Sequence, residues 1–188
     1  MDIEKLRKLI SYNPQTGSMK WKPRPASYFK SHRGYSIWTA RYCGKEVGCI
    51  HTMKCGYTCR VFSLQDYGPG SSRIFCHRAA WAIMTGSQPP AKIDHINQDA
   101  TDNRWKNLRD GTGSINEKNA FLSRANKTGV PGVRWNKQRG KWEVYVTSGG
   151  KKINLGLHDD IEKAKSIAIN ARREMGFSPL HGRCRPTR

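Results

Sequence analysis

The sequence IDHINQDATDNRWKNLR, residues 93–109, decides the fold of this chain. Its residue pattern predicts a short strand over 92–96, then a long polar loop, then a second short strand over 107–109. A helix is expected to follow from about residue 114 to residue 124. Two short strands and a helix in so few residues predict a compact unit that brings polar side chains from all three elements to one small site.

Four polar side chains of this unit have the chemistry that phosphodiester hydrolysis requires. Asp94 and His95 end the first strand, Asn107 begins the second, and Asn116 lies in the expected helix. Carboxylate and amide oxygens suit a hard divalent cation, and a neutral imidazole can deprotonate water. We therefore expect Asp94 and Asn116 to hold a metal ion, with His95 beside the attacking water. The alternative is an Asx-rich turn followed by a helix N-cap.

Five short segments resemble the phage and intron-encoded HNH homing endonucleases, which have the ββα-metal fold. They are His77–Arg78, Asp94–Asn97, Asp102–Arg104, Asn107–Arg109 and Asn116–Asn119. The resemblance implies that His95 is the general base, that Asp94 and Asn116 are the metal ligands, and that Asn107 braces the loop and orients His95. We also expect Arg104 and Arg109 to contact DNA, and we expect His77 to have a packing or capping role.

The helix position of this resemblance carries asparagine, whereas the best-known HNH nucleases carry histidine there. The chain resembles the Asp-His…Asn subgroup, and its oxygen ligands favour Mg²⁺ or Mn²⁺ over Zn²⁺.

The C-terminal third predicts three strands, over 132–135, 141–146 and 152–155, followed by a helix that begins near Asp159 and Asp160. Segments 126–135, 140–142 and 155–156 resemble the Apetala-type (ethylene-response-factor) DNA-binding domain. The resemblance implies a three-stranded sheet in the major groove of DNA, with a helix packed behind it. The implied DNA contacts are Arg134, Trp135, Lys141, Trp142 and Lys152. One of the two tryptophans can instead belong to the core of the sheet.

Residues 1–70 predict a β-rich region with several short strands after residue 18. Between Met19 and Lys45 there are seven basic residues and no acidic one, with aromatic residues among them. This pattern suits a DNA-contacting extension, and it equally suits a solvated basic sheet face. Four cysteines cluster here, but their spacing fits no standard zinc pattern, so we expect free thiols rather than a structural zinc site. They are Cys43, Cys49, Cys55 and Cys59.

We thus expect an α+β protein with four parts: the β-rich region over 1–70, an HNH core over 71–125, the Apetala-type module over 126–180, and a basic tail over 181–188. The chain has 34 Lys and Arg residues against 14 Asp and Glu residues, and a net charge of +20 indicates a polyanionic partner. No secretory signal or membrane span is visible, so we expect a cytoplasmic protein, in the bacterial host if it is phage-encoded.

The predicted function is a metal-dependent DNA endonuclease. We expect a monomer that nicks one strand of a specific duplex site, because one HNH unit has one metal site and one general base. One alternative is a non-catalytic, sequence-specific DNA-binding regulator that uses the C-terminal module. The other is an RNA-binding or structural phage protein, which the basic charge alone would allow.

Overall fold

The computed structural model describes residues 1–54, 56–64 and 73–185. These residues form two compact units, Met1–Asp110 and Gly111–Arg188. Cys55, the expected boundary at residues 70–71 and the last three residues of the expected tail lie outside the described residues. The predicted α+β class, with small antiparallel sheets, is confirmed.

The first unit is built from short helices and paired strands. Its elements are α1 (Ile3–Leu9), β1 (Ile10–Tyr12), β2 (Met19–Trp21), α2 (His32–Tyr42), β3 (Cys49–Thr52), β4 (Thr58–Phe62), β5 (Ile74–Phe75), α3 (Cys76–Thr85), β6 (Ile93–His95) and β7 (Leu108–Asp110). Antiparallel pairing joins β1 to β2, β6 to β7, and β3, β4 and β5 in that order.

The core of the first unit lies between α1 and α3. Leu6 and Leu9 of α1 pack with Ala79 and Ala82 of α3, and all four are buried. The side chain of Asp2 caps α1 by accepting a hydrogen bond from the backbone N–H of Lys5 at 3.0 Å. This core supports the β6–β7 pair, because Leu108 at the start of β7 belongs to the same buried cluster.

Residues 32–42 form a helix where the sequence analysis expected strands. The side chain of Ser31 caps α2 by accepting a hydrogen bond from the N–H of Gly34 at 3.2 Å. Tyr35 and Trp38 are three residues apart on the helix, and both contact the ring of Phe29 with centroids 5.7 Å away. The aromatic residues thus have helical spacing, and the expectation of short strands over this segment is wrong.

The second unit contains α4 (Ile115–Lys118), β8 (Val133–Asn136), β9 (Lys141–Ser148), β10 (Lys151–His158) and α5 (Ile161–Glu174). Its antiparallel sheet has the order β10-β9-β8, and α5 packs on it through a core of Val133, Val144, Ala164 and Ala168. The predicted three-stranded sheet packed on one helix is confirmed. The carboxylate of Asp160 caps α5 through the N–H of Lys163 at 2.6 Å.

Helix α4 ends at Lys118, earlier than the expected residue 124. The segment after it pairs with the C-terminal part of the same unit. The carbonyl oxygens of Lys118 and Ala120 accept hydrogen bonds from the N–H groups of Ser178 and Gly182, at 3.0 and 2.9 Å. These carbonyl groups are therefore satisfied without a longer helix.

Cys43, Cys49 and Cys59 form no disulfide bonds in the structure. In the described ranges, every helix is too short or too polar to cross a membrane.

Candidate active site and sheet face

Asp94 and His95 are the last two residues of β6, and both are buried at 6% exposure. The register with β7 places Asp94 opposite Arg109 and His95 opposite Leu108. Strand pairing therefore fixes the backbone of the acid and the imidazole at one end of a supported hairpin. Because both side chains are also buried, Asp94 and His95 have few alternative rotamers.

The carboxylate of Asp94 binds the guanidinium group of Arg109. Nε and Nη2 of Arg109 lie 2.8 and 2.7 Å from Oδ2 of Asp94. A buried carboxylate without a cation is costly, and Arg109 supplies that cation. Arg109, an expected DNA contact, thus has a partner within the first unit.

The ring of His95 lies in a pocket formed by an amide and a second histidine. Its Nε2 is 3.4 Å from Oδ1 of Asn103, and its ring makes a T-shaped contact with the ring of His77, with centroids 5.1 Å apart. Burial lowers the pKa of His95 below its ordinary value. The imidazole is therefore neutral at neutral pH, which is the form that can accept a proton.

His77 is the second residue of α3, and it combines packing with a position next to His95. Its ring stacks on Phe75 at 5.4 Å, and burial lowers its pKa to about 3. The site therefore contains two neutral imidazoles in contact. The contact between His77 and His95 was not predicted from the sequence, because it depends on how α3 packs against β6.

Asn107 braces the loop between β6 and β7. Its Oδ1 accepts a hydrogen bond from the N–H of Asn97 at 2.9 Å, and its Nδ2 donates to the carbonyl oxygen of Asp102 at 2.8 Å. The carboxylate of Asp102 also binds Nε of Arg104 at 2.8 Å. The contact with His95 comes from Asn103, not from Asn107.

The first hairpin of the chain supports the same loop. The hydroxyl of Tyr12 donates to the carbonyl oxygen of Asn103 at 2.7 Å, and the N–H of Trp105 donates to the carbonyl oxygen of Pro14 at 2.9 Å. Gly17 has φ +75°, and a Cβ there would lie 2.7 Å from the carbonyl carbon of Asn103. The first hairpin thus holds the backbone around Asn103. Asn103 was not among the expected site residues, although it lies in Asp102–Arg104, one of the segments that resemble HNH endonucleases.

Asn116 lies on α4 in the second unit. Among the residues that the structure describes, no three or more His, Cys, Asp and Glu side chains form a group that could hold a metal ion. The expected pair of ligands is smaller than such a group, with one carboxylate and one amide. It suits an ion such as Mg²⁺, which usually keeps several water ligands and also binds substrate phosphate.

The sheet of the second unit divides the expected DNA contacts between its two faces. Trp135 pairs with Trp142 across β8 and β9, next to the buried pair Val133 and Val144 on the α5 side. Trp142 packs against that core, while Trp135 is 47% exposed. Trp142 is therefore the tryptophan that belongs to the core of the sheet, as one alternative expected.

The opposite face of the sheet carries the charged residues. Arg134 pairs with Glu143 across β8 and β9, and Lys152 lies on the same face in β10. Hydrogen bonds from Arg134 and Lys152 lower the pKa of Glu143. Lys141 lies at the start of β9 and binds Asp159 at 3.1 Å. We call the set Arg134, Glu143, Tyr145 and Lys152 the charged sheet face.

Residues 75–118 match the family model of the HNH endonuclease domain, and residues 128–178 match that of the AP2 domain. These matches fall on the buried Asp94–His95 site and on the sheet with its helix, so the chain contains an HNH endonuclease domain followed by an AP2 domain. The chain belongs to the same family as protein 3.8 of Escherichia phage T7. The two are 32% identical over 107 residues, which cover 56% of this chain and 84% of the phage protein. No solved structure matches the chain. The HNH domain supports a nuclease role and both domains support DNA binding.

Proposed function

We propose that this protein is a metal-dependent DNA endonuclease that hydrolyses one strand of a specific duplex site. His95 is the general base, and Asp94 and Asn116 are the ligands of Mg²⁺ or Mn²⁺. The observation that carries the proposal is the buried Asp94–His95 pair at the end of β6, within the region that matches the HNH domain. Because the related protein is a phage protein, we also propose that the enzyme acts in the cytoplasm of a bacterial host.

The hydrogen bonds of Asn103 support one orientation of His95. Nδ2 of Asn103 donates to the carbonyl oxygen of Thr101 at 3.3 Å, so its Oδ1 faces Nε2 of His95. In this proposal Nε2 carries the proton of the neutral ring and donates it to Oδ1 of Asn103. Asn103 is in this way a positioning residue, since it acts on the water only through His95.

Burial and pairing set the charges that the reaction needs. Burial lowers the pKa of His95 and so keeps its ring neutral at neutral pH, and the ion pair with Arg109 holds the carboxylate of Asp94 in a fixed position. A bound divalent ion would stabilise the negative charge that develops on the phosphate and on the leaving oxygen. Asn107 holds the loop that follows β6, so its contribution to the rate is indirect.

The AP2 domain provides the affinity and the choice of site in this proposal. Arg134, Lys141 and Lys152 are the proposed contacts from the sheet, and the exposed Trp135 adds contact area at its edge. Arg104 is 41% exposed and supplies a phosphate contact beside the active site. The enzyme acts as a monomer, since one active site suffices for a single-strand cut.

The basic helix α2 supplies a further proposed contact with the DNA backbone. None of its described residues is buried. Next to it, the guanidinium group of Arg24 lies 4.3 Å above the ring of Trp38. Such cation and aromatic surfaces suit nucleic acids.

Supercoiled plasmid tests the function. We expect conversion to the nicked circle in the presence of Mg²⁺ or Mn²⁺ and none with excess chelator. Binding without cutting would favour the DNA-binding regulator, and an absence of binding to duplex DNA would favour the RNA-binding or structural alternative. His51→Ala is a suitable control, because it removes a histidine of β3 whose ring binds Arg73.

A further inference from the structure

A carboxylate lies at the centre of the charged sheet face, between two cations. Oε2 of Glu143 binds both Nε and Nη2 of Arg134 at 2.8 Å, and Oε1 binds Nζ of Lys152 at 3.0 Å. The Glu143 side chain is 11% exposed, against 59% for Arg134 and 45% for Lys152. The carboxylate therefore lies beneath the cations, and the cations point outward from it.

The aromatic ring of Tyr145 completes this arrangement. The ammonium group of Lys152 lies 4.3 Å from the ring centroid, and the guanidinium group of Arg134 lies 5.7 Å from it. Each cation thus has a carboxylate oxygen on one side and an aromatic face on another. Such contacts restrict long side chains that otherwise sample many rotamers.

A carboxylate on a surface that faces DNA has an electrostatic cost. It repels phosphate, and it lowers the positive charge that Arg134 and Lys152 offer to the backbone. Glu143 is therefore unfavourable on a surface whose role is affinity for DNA alone. The same carboxylate has a benefit if the face reads bases, since it fixes the plane of Arg134.

The donor geometry of Arg134 fits base reading. A guanidinium group has five N–H donors, and two of them bind Glu143, so the remaining three face other partners. A planar fork with a fixed orientation matches the paired acceptors O6 and N7 of guanine in the major groove. A freely rotating arginine would instead bind phosphates without regard to sequence.

We propose that Glu143 is a specificity-determining residue, which holds Arg134 to read a guanine and keeps Arg134 and Lys152 from binding phosphate indiscriminately. This inference rests on the proposed function, because it assumes that the sheet of the AP2 domain faces DNA.

The test compares the full-length wild type with Glu143→Gln, which keeps the shape of the side chain and removes its charge. The matched control is Glu162→Gln on α5, where Glu162 is exposed and bound to Lys165. The probe is a 30-base-pair duplex library with a randomised centre, in Ca²⁺ instead of Mg²⁺ to limit cutting. Affinity for the unselected library, its salt dependence and the sequences enriched after selection are measured.

We expect Glu143→Gln to bind the unselected library about two- to threefold more tightly at low salt, since one repulsive charge is lost. The slope of log affinity against log salt should steepen by about 0.9 for each cation that gains a phosphate. Preference for guanine at one position should fall about tenfold. Glu162→Gln should select the same sequences as the wild type.

Arg134→Lys provides a second variant on an exposed residue. It should lose the same guanine preference, and adding Glu143→Gln to it should cause no further loss, because both changes remove one interaction. The inference is overturned if the wild type selects a sequence and Glu143→Gln selects it equally strongly. A wild type that does not bind duplex DNA would instead overturn the proposed function, and the inference with it.

Discussion

The two units hold their polar residues in opposite environments. In the first unit, His95 and Asp94 are buried, and amide groups and one arginine satisfy them. In the second unit, Arg134 and Lys152 lie at the surface around a single carboxylate. Burial shifts the pKa of a side chain and fixes its position, and a catalytic group requires both. Exposure leaves charges available to a large polyanion, which binding requires.

This difference separates the effects that we expect from mutation. Changes in the buried site should lower the rate of cutting at saturating DNA and leave the affinity for DNA intact. Changes on the charged sheet face should lower affinity or selectivity and leave the rate at saturation intact.

Asp94→Ala should abolish nicking almost completely, by at least the ~10²–10⁴-fold that loss of a general base costs. It removes the only carboxylate among the proposed metal ligands, and it removes the carboxylate that Arg109 binds. Nicking of supercoiled plasmid should stay absent even at high Mg²⁺. Activity that returns fully at high Mg²⁺ would show that Asp94 has a replaceable role.

His95→Ala should reduce nicking ~10²–10⁴-fold, because the base that activates water is lost. Its affinity for duplex DNA should equal that of the wild type, since the buried ring acts on water and not on DNA. Single-turnover cutting and gel-shift titration measure the two quantities. Wild-type cutting by His95→Ala would refute the catalytic assignment, and His51→Ala shows whether removing any histidine has an effect.

Arg134→Ala should weaken binding to the selected duplex about tenfold, with an unchanged nicking rate at saturation. Arg173→Ala is the matched control, since Arg173 is an exposed arginine on α5. A fall in the saturated rate of Arg134→Ala would contradict the separation between the two units.

The acid side of the pH profile should lie at lower pH than for an ordinary histidine. The base must be neutral, so the rate falls as pH drops through the pKa of His95, and burial lowers that pKa below 6.5. An ordinary imidazole would lose about tenfold between pH 7.5 and pH 5.5, and we expect a smaller loss. A half-maximal rate at pH 6.5 or above would show that burial does not set the protonation of His95.

Asn107→Ala should have the smallest effect on nicking, about tenfold or less, because it loosens the loop without touching His95. Asn103→Ala should be more severe, since it removes the direct contact with the ring. Single-turnover rates of the two variants give the order, and the reverse order would place the orienting role on Asn107.

The sequence predicted the elements that depend on local patterns. The strand that ends at Asp94 and His95, the strand after Asn107 and the cap at Asp160 follow from apolar spacing and helix-capping preference. The order of strands and helix in the AP2 domain is also visible in the sequence. These features need no knowledge of distant neighbours.

Features that depend on tertiary packing were not predicted. Helix α2 forms where aromatic residues meet Phe29 and Trp21, which a local pattern does not reveal. Asn103 contacts His95 only because the first hairpin holds its backbone. The face on which Trp142 lies follows from the exact register of β8 and β9, and a shift by one residue would reverse it.

The pairing of residues 118–122 with residues 178–183 determines how the AP2 domain can be exchanged between proteins by recombination. The N–H of Leu122 donates to the carbonyl oxygen of Arg183 at 3.0 Å, so the chain enters and leaves the AP2 domain side by side. A fragment that begins at residue 126 would lack one side of this pair. Recombination that transplants the domain with its fold intact should therefore carry both segments, and junctions before residue 118 and after residue 183 define an exchangeable cassette.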